Sequence, residues 1–391
     1  MIGAPHLPFF LLGSLWAGMV PLVWLWPGSL PVDPRMWHAQ EMVLGVAQAA
    51  MAGYLLTALP AWRGRRGPAL RGLPLAALAI LWLLARIAGV WPQTAVIALA
   101  FPLALGAVVC RALLSARIWG RIPIALAPTA IALVWHAMPL SGDGLTPVLA
   151  VALLLSLVGG RVVPAFLRAR LERGPTARPV PVLSRRLADV PVAAALGAHL
   201  AGAGPSWTGW LLLAAAAAQA MRLARWPIAV LWQAGTADLW LLALGWLWLP
   251  VGLALIGAAL AGGDDAASAG HALTMGAMGG LILAIQSRAI MRRGPGRLMP
   301  GPATLLAGAL LHGTVLCRLL AECLPGMMTA SALIWSLAWA IAAAGMLNAS
   351  TQPVPHPVLS ARRDHIRTTT QASQGRARAG GAVQPPRRRT E

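Results

Sequence analysis

Twelve apolar windows follow one another along the chain, at about 8–26, 40–62, 72–91, 93–114, 121–139, 145–165, 189–204, 206–221, 239–261, 271–291, 302–323 and 327–348. Windows of this length match the roughly 30 Å of hydrocarbon in a bilayer. Inside lipid every backbone N–H and C=O must be satisfied within its own segment, which selects helices. The expected fold is therefore all-α: a polytopic membrane helix bundle of about 12 transmembrane helices over residues 1–350. Composition agrees, since 58% hydrophobic residues, 11% charged residues and a mean hydropathy of +0.69 lie outside the range of soluble domains. The seventh and eighth windows are short and separated only by Gly202-Ala-Gly-Pro-Ser206, so eleven helices is the alternative count.

Arginine placement chooses between the two counts. The net charge of +20 comes from arginine alone, because the chain contains no lysine. Such a charge can signal nucleic acid, but here it alternates with the windows. Loops after even-numbered windows carry Arg63 to Arg71, Arg111 to Arg121, Arg161 to Arg186, Arg222 with Arg225, and Arg288 to Arg297. Loops after odd-numbered windows carry Asp33, Asp143, Asp264 and Asp265 instead. By the positive-inside rule twelve helices with both termini cytoplasmic is the consistent reading. The partner implied is the lipid bilayer, with no role for nucleic acid. The first window lacks a charged leader and a small-residue cleavage site, and is expected to stay as a membrane helix. The stretch 351–391, with five prolines and Arg387-Arg-Arg389, reads as a disordered, basic cytoplasmic tail.

With that topology four histidines share the outer layer: His38, His136, His199 and His271. His38-Ala-Gln-Glu-Met42 and His271-Ala-Leu-Thr-Met275 each set a histidine and a methionine four residues apart, on one helical face. Imidazoles at one depth in a bundle, with thioethers beside them, are a ligand set for haem iron or copper. Met42, Met138 and Met275 each lie within a turn of such a histidine; methionine is equally an ordinary filler of apolar gaps. His38 and His271 are the candidate metal ligands, and His136, His199, Met42 and Met275 the further cofactor-binding candidates. The plainer reading of each histidine is an interfacial anchor. His312 sits mid-helix, apart from the layer.

Glu41, a turn from His38, would orient an imidazole or relay a proton, or else pair with a buried arginine, for which Arg86 is the candidate. Arg318 and Glu322, four apart, are expected to pair with each other. Gly159-Gly-Arg-Val-Val-Pro164 is expected to end the sixth helix at the inner face, Pro164 ending or kinking it, with Arg161 as an inner-face charge. The tryptophans, many near window ends, read as interfacial belts. Cys110, Cys317 and Cys323 form no CxxC and read as small core residues. No phosphate-binding loop, nucleophile elbow, dinucleotide motif or CxxCH is present, so ATP-driven transport, triad hydrolysis and covalent haem are unsupported and any haem is held non-covalently.

Several blocks together resemble the NnrS family: Trp37-His-Ala-Gln-Glu-Met-Val-Leu-Gly45, Ala52-Gly-Tyr-Leu-Leu-Thr-Ala-Leu-Pro-Ala-Trp62, Gly159-Gly-Arg-Val-Val-Pro164, Arg222-Leu-Ala-Arg-Trp226, Trp248-Leu-Pro-Val-Gly252 and His271-Ala-Leu-Thr-Met-Gly276 through Arg288. The resemblance covers roughly residues 8–350. It implies a twelve-helix protein of the bacterial inner membrane, in denitrifiers and related bacteria, associated with haem and copper and with resistance to nitric oxide and nitrosative stress. Nitric oxide or another small diatomic ligand, and respiratory or denitrification proteins, are the partners it implies. His38, Glu41, Arg161 and His271 match the family's motifs. The chain departs from them at Gln40, where the family has a second histidine, at Arg292-Arg-Gly-Pro-Gly-Arg297, where it has His-Thr-Gly-Arg, and at Ala243 or Leu244, near which a histidine is common. Two other classes of function fit the same residues: a transporter or metal-delivery protein with a histidine-lined path and a helix broken near Pro102, and a cofactor-free structural partner of a respiratory complex.

Overall fold

A computed structural model describes residues 4–351 apart from 27, 29, 65–68, 138–143, 172–183 and 295–296. The expected tail beyond Thr351, Met138, Asp143 and the middle of the arginine-rich loop after the sixth window lie outside the described residues.

Helical runs fall on the apolar windows. They are α1 (His6–Met19), extended by a 3-10 turn to Leu25; α2 (Pro34–Gln40), a π-helical turn (Glu41–Ala47) and α3 (Gln48–Trp62) as one rod; α4 (Leu73–Ala88); a 3-10 stretch (Pro92–Leu99) leading into α5 (Ala100–Ser115); and α6 (Ile122–Ala137). Then come α7 (Leu145–Leu154), a second π turn (Leu155–Gly159) and α8 (Gly160–Leu171); α9 (Ser184–Leu200); α10 (Pro205–Ala224); α11 (Ala237–Gly262); a third π turn (Ala272–Gly279) with α12 (Gly280–Arg288); α13 (Pro302–Leu319); and α14 (Met327–Ser350). Among the described residues seven runs are long and apolar enough to cross a membrane by length and composition: His6–Leu25, Pro34–Trp62, Val96–Ser115, Leu145–Arg168, Ala237–Gly262, Pro302–Glu322 and Met327–Ser350. The structure keeps α9 and α10 apart at Gly202, whose φ of +75° a residue with a Cβ would adopt only under strain.

Small residues let the rods approach. A Cβ on Gly209 of α10 would lie 2.5 Å from the Ala261 nitrogen of α11, and one on Gly252 of α11 would lie 2.7 Å from the Leu273 nitrogen in the third π turn. α11 is thereby clasped from two sides, backbone to backbone, as close packing in a bilayer requires. Tryptophans fill the remaining space. Trp82, Trp246, Trp335 and Trp339 are fully buried, which corrects the reading of the tryptophans as interfacial belts only. Two of them serve backbone carbonyls: Trp335 Nε1 donates to Ala17 O at 2.8 Å and Trp82 Nε1 to Gly45 O at 3.2 Å.

Four local expectations are revised. Pro164 does not end its helix, because the carbonyl four residues back, Gly160 O, which the proline cannot bond, is taken by Arg222 Nη2 at 2.9 Å. Pro102 does not break its segment either; it sits in the first turn of α5, where an N–H has no partner inside the helix to lose. Arg222 and Arg288, read as loop charges, are buried in ion pairs. The stretch around Arg292 to Arg297 is a short antiparallel hairpin, Arg292–Gly294 on Arg297–Met299, with Arg293 opposite Leu298.

Candidate functional site

The two His/Met motifs meet. α2 starts at an Asp33-Pro34 signal, with the Asp33 side chain accepting from Arg35 N at 3.0 Å and proline in the first turn. This places His38 one turn above the π turn that begins at Glu41. His271 stands at the head of the third π turn. His38, His271 and Arg318 lie within electrostatic reach of one another, and Met42 and Met275 share one apolar cluster with Trp37, Trp335 and Trp339. Trp24 covers His38, ring centroids 5.7 Å apart.

Each imidazole is held differently. His271 Nδ1 donates to Ala267 O at 3.0 Å and lies 3.3 Å from Ser268 O; a carbonyl only accepts, so Nδ1 carries the hydrogen and Nε2 keeps its lone pair. His38 Nδ1 is buried and has no hydrogen-bond partner among the described residues. Arg318 does not pair with Glu322. Its Nη1 donates to Ser268 Oγ at 3.1 Å, across to the loop that carries His271, while Glu322 is exposed and acts on Arg318 only at a distance.

Beneath His38 lies a fully buried ion pair. Arg86 Nη1 donates to Glu41 Oε1 at 3.1 Å and Oε2 at 3.0 Å. Trp16 Nε1 donates to Oε2 at 2.8 Å, and the Gln40 amide reaches Oε1 at 3.4 Å and Gly89 O at 3.2 Å. The indole of Trp16 fits because residue 45 is glycine: a Cβ there would stand 2.8 Å from its ring. Gln40, one of the departures from the family pattern, is thus a structural donor that ties α2 to the end of α4. Trp16, Gly45 and Trp82 were not marked by sequence; the aligned Glu41 and Gly45, one turn apart, are the only local signal of them.

His136 and His199 stand on α6 and α9, and the end of α6 packs against the His38 rod, Trp135 sharing a cluster with Val43 and Met278. Among the described residues no three of His, Cys, Asp and Glu gather as a metal site. His136 Nδ1 donates to Ala132 O of its own helix at 2.8 Å, and His199 rides on α9, which packs on α7 and α10. His312 Nδ1 accepts from Trp248 Nε1 at 3.1 Å. Arg161 is exposed at the start of α8. At the opposite ends of the rods are two further buried pairs: Arg222 Nη1 with Asp189 Oδ1 at 2.9 Å, joined by Ser156 and Gln219, and Arg288 with Asp238. The Arg222 guanidinium lies over Trp246 and that of Arg288 over Phe166, at 5.5 and 3.9 Å from the ring centroids.

These features define a helical membrane-type bundle with ion pairs sealed between its rods and two imidazoles meeting at one end. A model of the family described as NnrS protein matches residues 1–353, and the chain belongs to that family. No curated protein and no solved structure matches it.

Proposed function

We propose that the chain is a twelve-helix inner-membrane protein, both termini cytoplasmic, that binds haem non-covalently, or copper, at His38 and His271, and serves the response to nitric oxide and nitrosative stress in denitrification-type metabolism. What supports this reading is that the rods carrying His38 and His271 pack together, Met42 and Met275 sharing one cluster, with His38 Nδ1 buried and unpartnered among the described residues and a lone pair left at Nε2 of His271.

The donor set fits such a group. An imidazole, from His38 or His271, could hold a haem iron, and the thioethers of Met42 and Met275 add the soft donors that copper prefers. Bound haem would supply a redox-active iron able to take a small diatomic ligand such as nitric oxide. The chain's own residues do the rest. The carbonyls of Ala267 and Ser268 fix the tautomer and orientation of His271. Trp24 packs against the His38 ring, Arg318 sets a positive charge near both imidazoles, and Glu41 is clamped one turn below.

The test is an absorption spectrum and metal analysis of the detergent-purified protein, expressed with haem and copper supplied. A Soret band or stoichiometric copper is expected, shifted or lost in both His38→Ala and His271→Ala and kept in His136→Ala, His199→Ala and His312→Ala. Absence of both cofactors from the wild-type protein would sink the reading. Substrate accumulation in proteoliposomes, without a spectrum, would favour transport along the same residues.

A further inference from the structure

The guanidinium of Arg86 is only half used. It is 1% exposed, and both of its contacts to Glu41 are made by Nη1. Nε and Nη2 are buried too, yet neither finds an acceptor among the described residues. Those two atoms are the side edge of the group. Their hydrogens point the same way, in the fork that grips both oxygens of a carboxylate-like anion. A buried donor without an acceptor costs about 1–3 kcal/mol, more when charged, so an idle fork at full burial calls for an occupant.

The balance of donors points in the same direction. Glu41 is not Arg86's alone, because Trp16 Nε1 and the Gln40 amide also donate to its oxygens. The carboxylate is satisfied by three side chains, whereas the guanidinium has a single anion on a single nitrogen. The pair is neutral overall, and the donors left unused on the guanidinium, Nε–H and Nη2–H, both lie on the idle edge. Arg86 lies in the last turn of α4, three residues before its Gly89 cap.

We propose that the Nε/Nη2 edge of Arg86 is a binding site for a small planar oxyanion, a group with two oxygens on one atom such as a carboxylate, one helical turn from His38. The site does not depend on the cofactor reading. It would take a free anion from solution or the carboxylate arm of a bound cofactor, and the two sources can be told apart.

The experiment is binding of 13C-formate to the full-length, detergent-solubilised protein, followed by NMR, with chloride as a spherical competitor. Saturable formate binding that chloride does not displace is expected in the wild-type protein. Arg86→Lys keeps the charge beside Glu41 but has no fork, and should weaken formate at least tenfold. Glu41→Gln removes the neighbouring negative charge and should tighten it several-fold. If haem then displaces formate the occupant is a cofactor carboxylate, and if both bind together it is a free anion; each supports the site. Formate that fails to saturate in the wild-type protein, or that binds Arg86→Lys as well as wild type, overturns the proposal and leaves water at that edge. The wild-type measurement decides even if a variant does not fold.

Discussion

Each buried arginine in this bundle has a carboxylate set against it, and at the residue scale that arrangement makes single substitutions costly and paired ones cheap. Arg288→Ala would strand Asp238 between α11 and α12, at a cost of about 3–5 kcal/mol, the figure for an uncompensated buried charge. The double variant Arg288→Met with Asp238→Leu removes both charges and should recover most of that loss. Unfolding of the purified protein in a denaturing detergent, compared across the two variants, measures the difference. The same residues show what was legible in the sequence. Glu41 and Arg86 stand out because a charge inside an apolar window must find a partner, and the structure pairs them. Arg222 and Arg288 were misplaced because an arginine at a window's end satisfies the positive-inside pattern equally well in a loop or in the last helical turn. Trp16 could not be read, and Gly45 only as a small residue one turn from Glu41: that an indole lies on a glycine of another rod depends on which helices pack.

At the scale of elements, the three π turns are the features that place the chemistry. Each widens a rod by an extra residue, and the first two expose backbone to a neighbour: Gly45 O receives Trp82, and Ser156 O receives Arg222 Nη1 at 3.3 Å. Such turns commonly mark functional sites. Deleting Ala39 from α2, just ahead of the Glu41–Ala47 turn, should swing His38 by about 100° about the rod axis, the angle of one residue. His38 would turn away from His271 while α3 stayed packed. The expected result is loss of bound haem or copper with helical content by circular dichroism unchanged; a retained spectrum would show that His38 does not hold the group. The helices themselves were readable as apolar windows to within a few residues, since length and hydropathy decide them. The π turns were not, because nothing in Glu41-Met-Val-Leu-Gly-Val-Ala47 departs from an α-helical pattern; the insertion is enforced by the partners on either side.

At the scale of the whole molecule, an even number of crossings returns the chain to the side where it began. Reporter fusions at the N-terminus and after Ser350 should both be active only as cytoplasmic fusions, and a C-terminal fusion active only outside would remove the twelve-helix reading in favour of eleven. The order of the buried charges has a consequence for how such a protein is made. Glu41 precedes Arg86, Asp189 precedes Arg222 and Asp238 precedes Arg288, and every pair bridges one apolar run and the next. A lone Asp, Glu or Arg inside an apolar segment costs free energy to insert, less near the helix ends, where these groups stand, than at the centre. As the nascent chain leaves the translocon, an acidic segment need wait for only one successor before its charge is cancelled. The protein is thus built to enter the bilayer two segments at a time, as neutral helical hairpins.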